Sequence, residues 1–144
     1  MLSCPLCASR HDIIAQSRHW TLILNENQAT LGRVYFSLRR HETQITELTS
    51  DEQADLWNAL SAAKSALDTL FKPDHINFLF HMNLVAHVHA HLYPRYNTPR
   101  EFSGETFEDA RFGRHYDPSE ERILTPEIFT ALLTEIRNTL ESAH

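Results

Sequence analysis

Residues His87 to Tyr93 read His-Val-His-Ala-His-Leu-Tyr, three histidines alternating with apolar residues. On a strand, successive side chains point to opposite faces. The pattern therefore specifies a strand with His87, His89 and His91 on one face and Val88, Ala90 and Leu92 on the other. The three rings span roughly 13 Å at about 3.3 Å per residue. The apolar face belongs to a core. The other face must hold three imidazoles, each needing a polar partner if buried, and mutually repulsive if protonated. Such a strand needs a sheet with two unlike faces, and a use for the polar one.

The flanking sequence supplies that sheet. His19 to Leu24 is apolar and β-favouring, Asn25 to Thr30 reads as a turn, and Arg33 to Leu38 as a second strand. Thr49-Ser50-Asp51-Glu52 is a capping box that starts a helix running to about Phe71, stopped by Pro73. Leu56, Trp57, Leu60, Ala63, Leu67 and Leu70 form its apolar stripe. His75 to Phe80 and Val85 to Tyr93 read as two more strands, with Pro94 breaking the pattern. Arg100 to Glu121 reads as polar and irregular. Thr125-Pro126 opens a last helix, a capping residue followed by proline at the first helical position. Strands, helix, strands, helix make an α+β fold with an antiparallel sheet, a long helix between strands and a C-terminal helix. With 144 residues and no repeats or linkers, residues 1–144 read as one domain.

The formal net charge of −6 argues against a general nucleic-acid binder, which needs a basic excess. A small phosphorylated ligand needs only a local cluster of donors. The start of the chain lacks a basic region followed by an apolar run, and no stretch is apolar enough to span a membrane. A cytoplasmic protein without membrane partners is the expectation. There, Cys4-x-x-Cys7 points to a metal site or reduced thiols rather than a disulfide.

Imidazole has three uses on such a face. A neutral ring is a nucleophile near its reference pKa of about 6.5. An N–H-bearing ring stabilises phosphate oxygens or a leaving group. A neutral ring also binds zinc.

The alternating triplet resembles the signature of the histidine triad (HIT) family. The likeness runs from about Cys4 to Tyr96. It takes in Asn25, Gly32 and Arg40-His41 of the family's nucleoside-binding hairpin, Leu48 to Glu52 at the start of its helix, Asn77 and Asn83 before the triad, and Pro94-Arg95-Tyr96 after it. The resemblance implies a nucleotide hydrolase or transferase that cleaves the α-phosphate linkage of a nucleotide conjugate, such as a dinucleoside polyphosphate or a nucleoside phosphoramidate. By the same resemblance His89 is the nucleophile, forming a nucleotidyl-histidine, and His91 and His87 assist as catalytic neighbours. Asn25 holds the ribose and Asn83 contacts phosphate. The family often has Gly-His where this chain has Gly32-Arg33, and Gly-Gln where it has Met82-Asn83. Arg33 then either takes over a phosphate contact or points elsewhere.

HIT members with an N-terminal cysteine pair often complete a structural zinc site with two histidines. The resemblance makes the ligands Cys4, Cys7, His41 and His87, with His11, His19 and His75 as alternatives. It also implies a homodimer, with the helix from Thr49 to Phe71 as the interface. Two other functions compete. A metallohydrolase would use the His-x-His pair as catalytic ligands, but Leu92-Tyr93-Pro94-Arg95 offers no further ligand. A catalytically weak nucleotide-binding or zinc-stabilised interaction protein is the alternative, opposed by the intact triad.

Overall fold

The computed structural model describes residues 4–8, 10 and 12–143. Five strands form the main sheet: β1 (Ile13–Gln16), β2 (Trp20–Leu24), β3 (Val34–Leu38), β4 (His75–Leu79) and β5 (His89–Arg95). They lie in the order β1-β2-β3-β5-β4, every neighbouring pair antiparallel. Helix α1 (Ser50–Phe71) connects β3 to β4, and helix α2 (Pro126–Ser142) closes the chain. The architecture is the expected α+β arrangement.

Strand alternation divides the sheet into two faces. Trp20, Leu22 and Leu24 of β2, Val34, Phe36 and Leu38 of β3, and Val88 and Leu92 join one core with Leu56, Leu67, Leu132 and Ile136 of the helices. The opposite face carries Thr21, Ile23, Tyr35, Ser37, His89, His91 and Tyr93, placed there by the ladder register. These residues lie outside the helix-side core, and Ile23, Tyr35 and Tyr93 are nevertheless buried.

Local chemistry fixes the helix ends. Thr49 Oγ1 accepts from the Glu52 amide at 3.1 Å, and Glu52 Oε2 accepts from the Thr49 amide at 2.9 Å. Both orphan donors are thereby satisfied. At the other end Lys72 turns left-handed, with φ 50°. Arg100 donates to the carbonyls of Phe71 (2.8 Å) and Lys72 (2.7 Å), setting a cation at the negative end of the helix. Gly32, at φ 88°, lies so near α1 that a Cβ would sit 3.0 Å from Leu67 Cδ2, so only glycine suits it.

Five expectations need correction. β1 was not foreseen, being four residues long. The stretch from Arg100 holds a hairpin, β6 (Arg100–Phe102) and β7 (Glu105–Phe107), whose turn residues Ser103 and Gly104 both have positive φ. That is the primed-turn signature, and Ser-Gly was its readable signal. β5 starts at His89 rather than Val85. Pro94 stays within β5 instead of ending it, because the β3 ladder stops at Val34–Leu92 and loses no bond to the missing N–H. Trp57 is 61% exposed, not part of the buried stripe, with its ring 6.1 Å from Phe78 of β4. Among the described residues, no helix is long and apolar enough to cross a membrane.

Candidate functional site

The strand β5 delivers the histidines in an ordered row. Ser37 and Tyr35 of β3 pair with His89 and His91, and Leu79 of β4 flanks His91 on the other side. His87 sits just before the strand, where Leu38 donates to the Val88 carbonyl and Val88 donates to the Glu42 carbonyl. His87 and His89 are buried, and His91 is half-buried.

His87 and His89 are locked in opposite tautomers. The His87 Nε2 lies 2.7 Å from the Leu38 carbonyl oxygen, which only accepts, so Nε2 carries the proton and Nδ1 the lone pair. The His89 Nδ1 lies 2.7 Å from the His87 carbonyl oxygen, so here Nδ1 carries the proton and the Nε2 lone pair is left free. Main-chain carbonyls thus aim two imidazoles at two different tasks.

The His87 lone pair faces a convergent group. Its Nδ1 lies 3.3 Å from Cys4 Sγ, 3.5 Å from Cys7 Sγ and 3.2 Å from His41 Nδ1, and Cys7 Sγ lies 3.4 Å from His41 Nδ1. One lone pair cannot accept from three groups, whereas a shared cation satisfies all four. Tetrahedral zinc with bonds of about 2.05 Å to nitrogen and 2.3 Å to sulfur would hold its ligands about 3.3–3.8 Å apart. The four ligand atoms all lie within 4.8 Å of one another, so Cys4, Cys7, His41 and His87 form a Cys2His2 group suited to a metal. Of the alternatives, His75 lies at the far end of the ladder, paired with Arg95. His19 stands apart from the group, its Nε2 buried without a partner. His11 is outside the described residues.

Beyond His89 the polar face becomes an aromatic and cationic cluster. The ring centroids of His89 and His91 are 5.0 Å apart, and His91 stacks on Tyr93 at 5.6 Å. Tyr116 stacks on the same Tyr93 at 4.3 Å, and its hydroxyl hydrogen-bonds His81 Nε2. His81 lies 5.7 Å from His91. The Arg33 guanidinium sits 4.5 Å from the Tyr93 centroid. Burial, reinforced by the charges of His89, Arg33 and His81, pushes His91 down to about 3. Its Nδ1 is buried without a partner.

That depressed value has a consequence for folding. Between about pH 6.5 and about pH 3 the unfolded chain binds a proton at residue 91 that the folded chain excludes. The contribution is present in full above about pH 6.5 and is lost as pH falls toward 3. His91→Gln is expected to flatten this part of the stability–pH slope, read by denaturant unfolding at about pH 7 and about pH 5. An unaltered slope would show that His91 is not held neutral.

The remaining sequence candidates divide. Asn25 continues the ladder beyond β2, its amide donating to the Arg33 carbonyl at 3.0 Å, and its Oδ1 accepts from the Asn27 amide at 2.9 Å. Asn83 lies in the exposed loop before His87, apart from the cluster. Met82, in place of the glycine, keeps a left-handed backbone at φ 53°. Arg33 does point into the cluster.

Four participants are not among the site residues that the sequence singles out. His81 and Tyr116 had no pattern to single them out. Ser37, opposite His89, has a buried and unpartnered Oγ. Arg95, in the sequence only a member of Pro94-Arg95-Tyr96, is 2% exposed. It pairs with Asp109 at 2.7 Å, with Asn77 Oδ1 at 3.0 Å and with the Arg111 and Arg114 carbonyls, so it fastens the segment carrying Tyr116. Its signal was Pro94-Arg95-Tyr96, but Asp109 and the two carbonyls lie more than ten residues downstream, and Asn77 lies upstream on β4.

Two cavities flank the row of histidines. One of about 410 Å³ is lined by Cys7, Arg10, Thr21, Ile23 and Ser37. The other, of about 590 Å³, is lined by His75, Asn77, Leu79, Arg114 and Tyr116.

The HIT domain family model matches residues 2–98. The fold is similar to a hypothetical histidine triad nucleotide-binding protein of Sulfolobus tokodaii, at TM-score 0.72 and 18% identity over 96% of this chain and 93% of that one. It is also similar to a histidine triad protein of Marinobacter aquaeolei, at TM-score 0.71 and 20% identity over 92% and 90%. A Zn-bound histidine triad family protein of Mycobacterium smegmatis aligns at TM-score 0.66 and 19% identity over 99% and 98%. No curated protein matches the chain. With about two thirds of its length matched by the family model and its triad in place, the chain belongs to the HIT domain family, which supports a nucleotide-binding or nucleotide-processing role in general.

Proposed function

We propose that the chain is a nucleotide hydrolase or nucleotidyl transferase that cleaves the α-phosphate linkage of a nucleotide conjugate through a nucleotidyl-His89 intermediate. The observation that carries this reading is the free Nε2 lone pair of His89, set by the bond from Nδ1 to the His87 carbonyl. In the first step Nε2 bonds to the α-phosphorus and the bond to the leaving group breaks, the leaving group taking the electron pair. The positive charge that grows on the ring is met by the His87 carbonyl. Water or another acceptor then attacks phosphorus, breaks the P–N bond and restores His89. His91 is the neighbour that donates to phosphate oxygens. Ser37, across the ladder from His89, is available as a further donor.

In this reading the base and ribose occupy the cavity beside Thr21, Ile23 and Ser37. The remaining amide donor of Asn25 holds a ribose hydroxyl, and Asn83 meets phosphate by movement of its loop. Asn25→Ala is expected to cost about 1–2 kcal/mol, roughly ten- to thirty-fold in affinity for a nucleoside monophosphate. Calorimetric titration checks it; an unchanged dissociation constant removes Asn25 from the site.

Zinc is the proposed occupant of the Cys2His2 group. When bound it supplies structural cross-linking rather than catalysis, since four protein ligands leave no open position. His87 then acts through its fixed ring and its carbonyl, both nitrogens being engaged, rather than as a phosphate ligand. We further propose a homodimer through α1, supported by the exposed Trp57 beside edge strand β4. Sedimentation equilibrium should give twice the chain mass, reduced to one by Trp57→Asp; a wild-type monomer would overturn it.

The function itself is tested by screening nucleotide conjugates for release of a nucleoside monophosphate. Dinucleoside polyphosphates and nucleoside phosphoramidates are the first classes to try. Absence of release from both, by folded and metal-loaded protein, would reject the reading.

A further inference from the structure

Arg33 carries a buried charge that nothing in the described chain neutralises. The residue is 8% exposed, its Nε has no acceptor, and among the described residues no carboxylate pairs with it. The groups that favour its charged form are the phenols of Tyr93 and Tyr116, against a larger opposing effect of burial. The contrast with Arg95 is instructive, since that buried guanidinium is met by Asp109, Asn77 and two carbonyls. Buried charges are ordinarily paired, so the unpaired one marks a place for an anion that the chain does not supply.

Groups able to donate surround Arg33. His91 Nδ1 is buried and unpartnered. The Tyr116 hydroxyl and His81 share one hydrogen bond beside His91, and the Tyr116 ring lies 5.9 Å from the Arg33 guanidinium. The position along the strand is equally informative. Tyr35 pairs with His91, so Arg33, two residues earlier, lies level with Tyr93. Arg33 is therefore displaced from His89 past His91, on the side away from the Cys2His2 group. Tyr116 also lines the cavity of about 590 Å³, which no acidic side chain lines. Tyr116 belongs to a segment beyond residues 2–98, the part covered by the family model.

We infer that Arg33, His81 and Tyr116 form a second anion site, which holds a phosphate of the departing group rather than the phosphate under attack. This inference rests on the reading of His89 as nucleophile. It makes the preferred substrate class a phosphoanhydride, whose leaving group carries its own phosphate, over a phosphoramidate. A departing phosphate takes the electron pair of the broken P–O bond and leaves as an anion beside Arg33, needing no proton. A departing amine must acquire a proton, and neither Arg33 nor a neutral His91 is a ready source. The remainder of the leaving group extends into the cavity lined by His75 and Arg114.

The test uses inorganic tripolyphosphate and orthophosphate as probes, titrated calorimetrically into the full-length metal-loaded protein. Arg33→Gln should weaken tripolyphosphate at least about tenfold and orthophosphate by less than about threefold. Because the charge it removes is unpaired, Arg33→Gln should melt no lower than wild type. Tyr116→Phe keeps the stacked ring, removes the donor and should weaken tripolyphosphate in the same direction. In turnover, the ratio of kcat/KM for a dinucleoside polyphosphate over a nucleoside phosphoramidate should fall in both variants. Equal loss for the two inorganic probes, no loss for either, or a ratio that stays put would overturn the second site. Wild-type protein that binds tripolyphosphate through Arg33 but turns over neither substrate would leave the anion site standing and reject the nucleophile reading instead.

Discussion

Cys4→Ser is expected to lower the melting temperature by about 10 °C, the shift that a loss of roughly 3 kcal/mol gives in a chain of this size. The group that this substitution breaks joins three distant parts of the chain. Cys4 and Cys7 come from the N-terminal turn, His41 from just after β3 and His87 from just before β5. Without a cation, two thiols and an imidazole crowd one lone pair of His87. With one, the crowding becomes coordination, and metal-binding energy becomes folding energy. Serine offers a poor zinc ligand at nearly the same size, so packing is little altered and the measured loss reports the metal. A chelator should bring wild type down to the melting temperature of the variant and leave the variant unmoved. Elemental analysis of protein purified without added metal should find about one zinc per chain. Below about a tenth of an equivalent in folded protein, or a chelator without effect on melting, the site is not a zinc site.

His89→Asn is expected to reduce turnover by at least about three orders of magnitude, the scale of losing a covalent route. Asparagine retains a polar side chain of similar reach and can still donate toward the His87 carbonyl, but it has no lone pair of comparable nucleophilicity at the position of Nε2. The neighbours cannot substitute. His87 has one nitrogen on the Leu38 carbonyl and the other in the Cys2His2 group. His91 is held neutral, but two residues farther along the strand, against Tyr93 and beside His81. Binding of a nucleoside monophosphate should survive in the variant, because ribose and base contacts lie elsewhere. Turnover within about tenfold of wild type would mean that His89 is not the attacking group.

Much of this was legible from residues close together in the chain. The capping box at Thr49 and Glu52, the proline after Thr125 and the alternation from His87 to Tyr93 are local patterns; both helices formed where their patterns stand, and β5 formed over most of its pattern, shifted to His89–Arg95. Zinc-type ligands were readable because Cys4-x-x-Cys7 is a local spacing, although choosing His41 and His87 as their partners needed the family resemblance. What stayed hidden depends on tertiary contact. Pro94 looked like a strand breaker because the end of the β3 ladder cannot be read from β5. The burial of Arg95 is not legible locally, because Asp109 and the carbonyls of 111 and 114 arrive through a later loop. Tyr116 and His81 meet through a loop that Arg95 ties to the sheet and that Tyr116 itself docks on Tyr93. Trp57 shares a stripe with Leu56 by spacing, yet the buried face of α1 turns it outward.

The most direct measurement is to mix wild-type enzyme with a cleavable nucleotide conjugate, quench rapidly without acid, digest and map the adduct by mass spectrometry. The free lone pair on His89 predicts a nucleotidyl group on the peptide containing His87 to His91, assigned by fragmentation to His89 and absent from His89→Asn. An adduct on any other residue, or turnover in wild type with none trapped on that peptide while His89→Asn remains active, would contradict a nucleotidyl-histidine at this position.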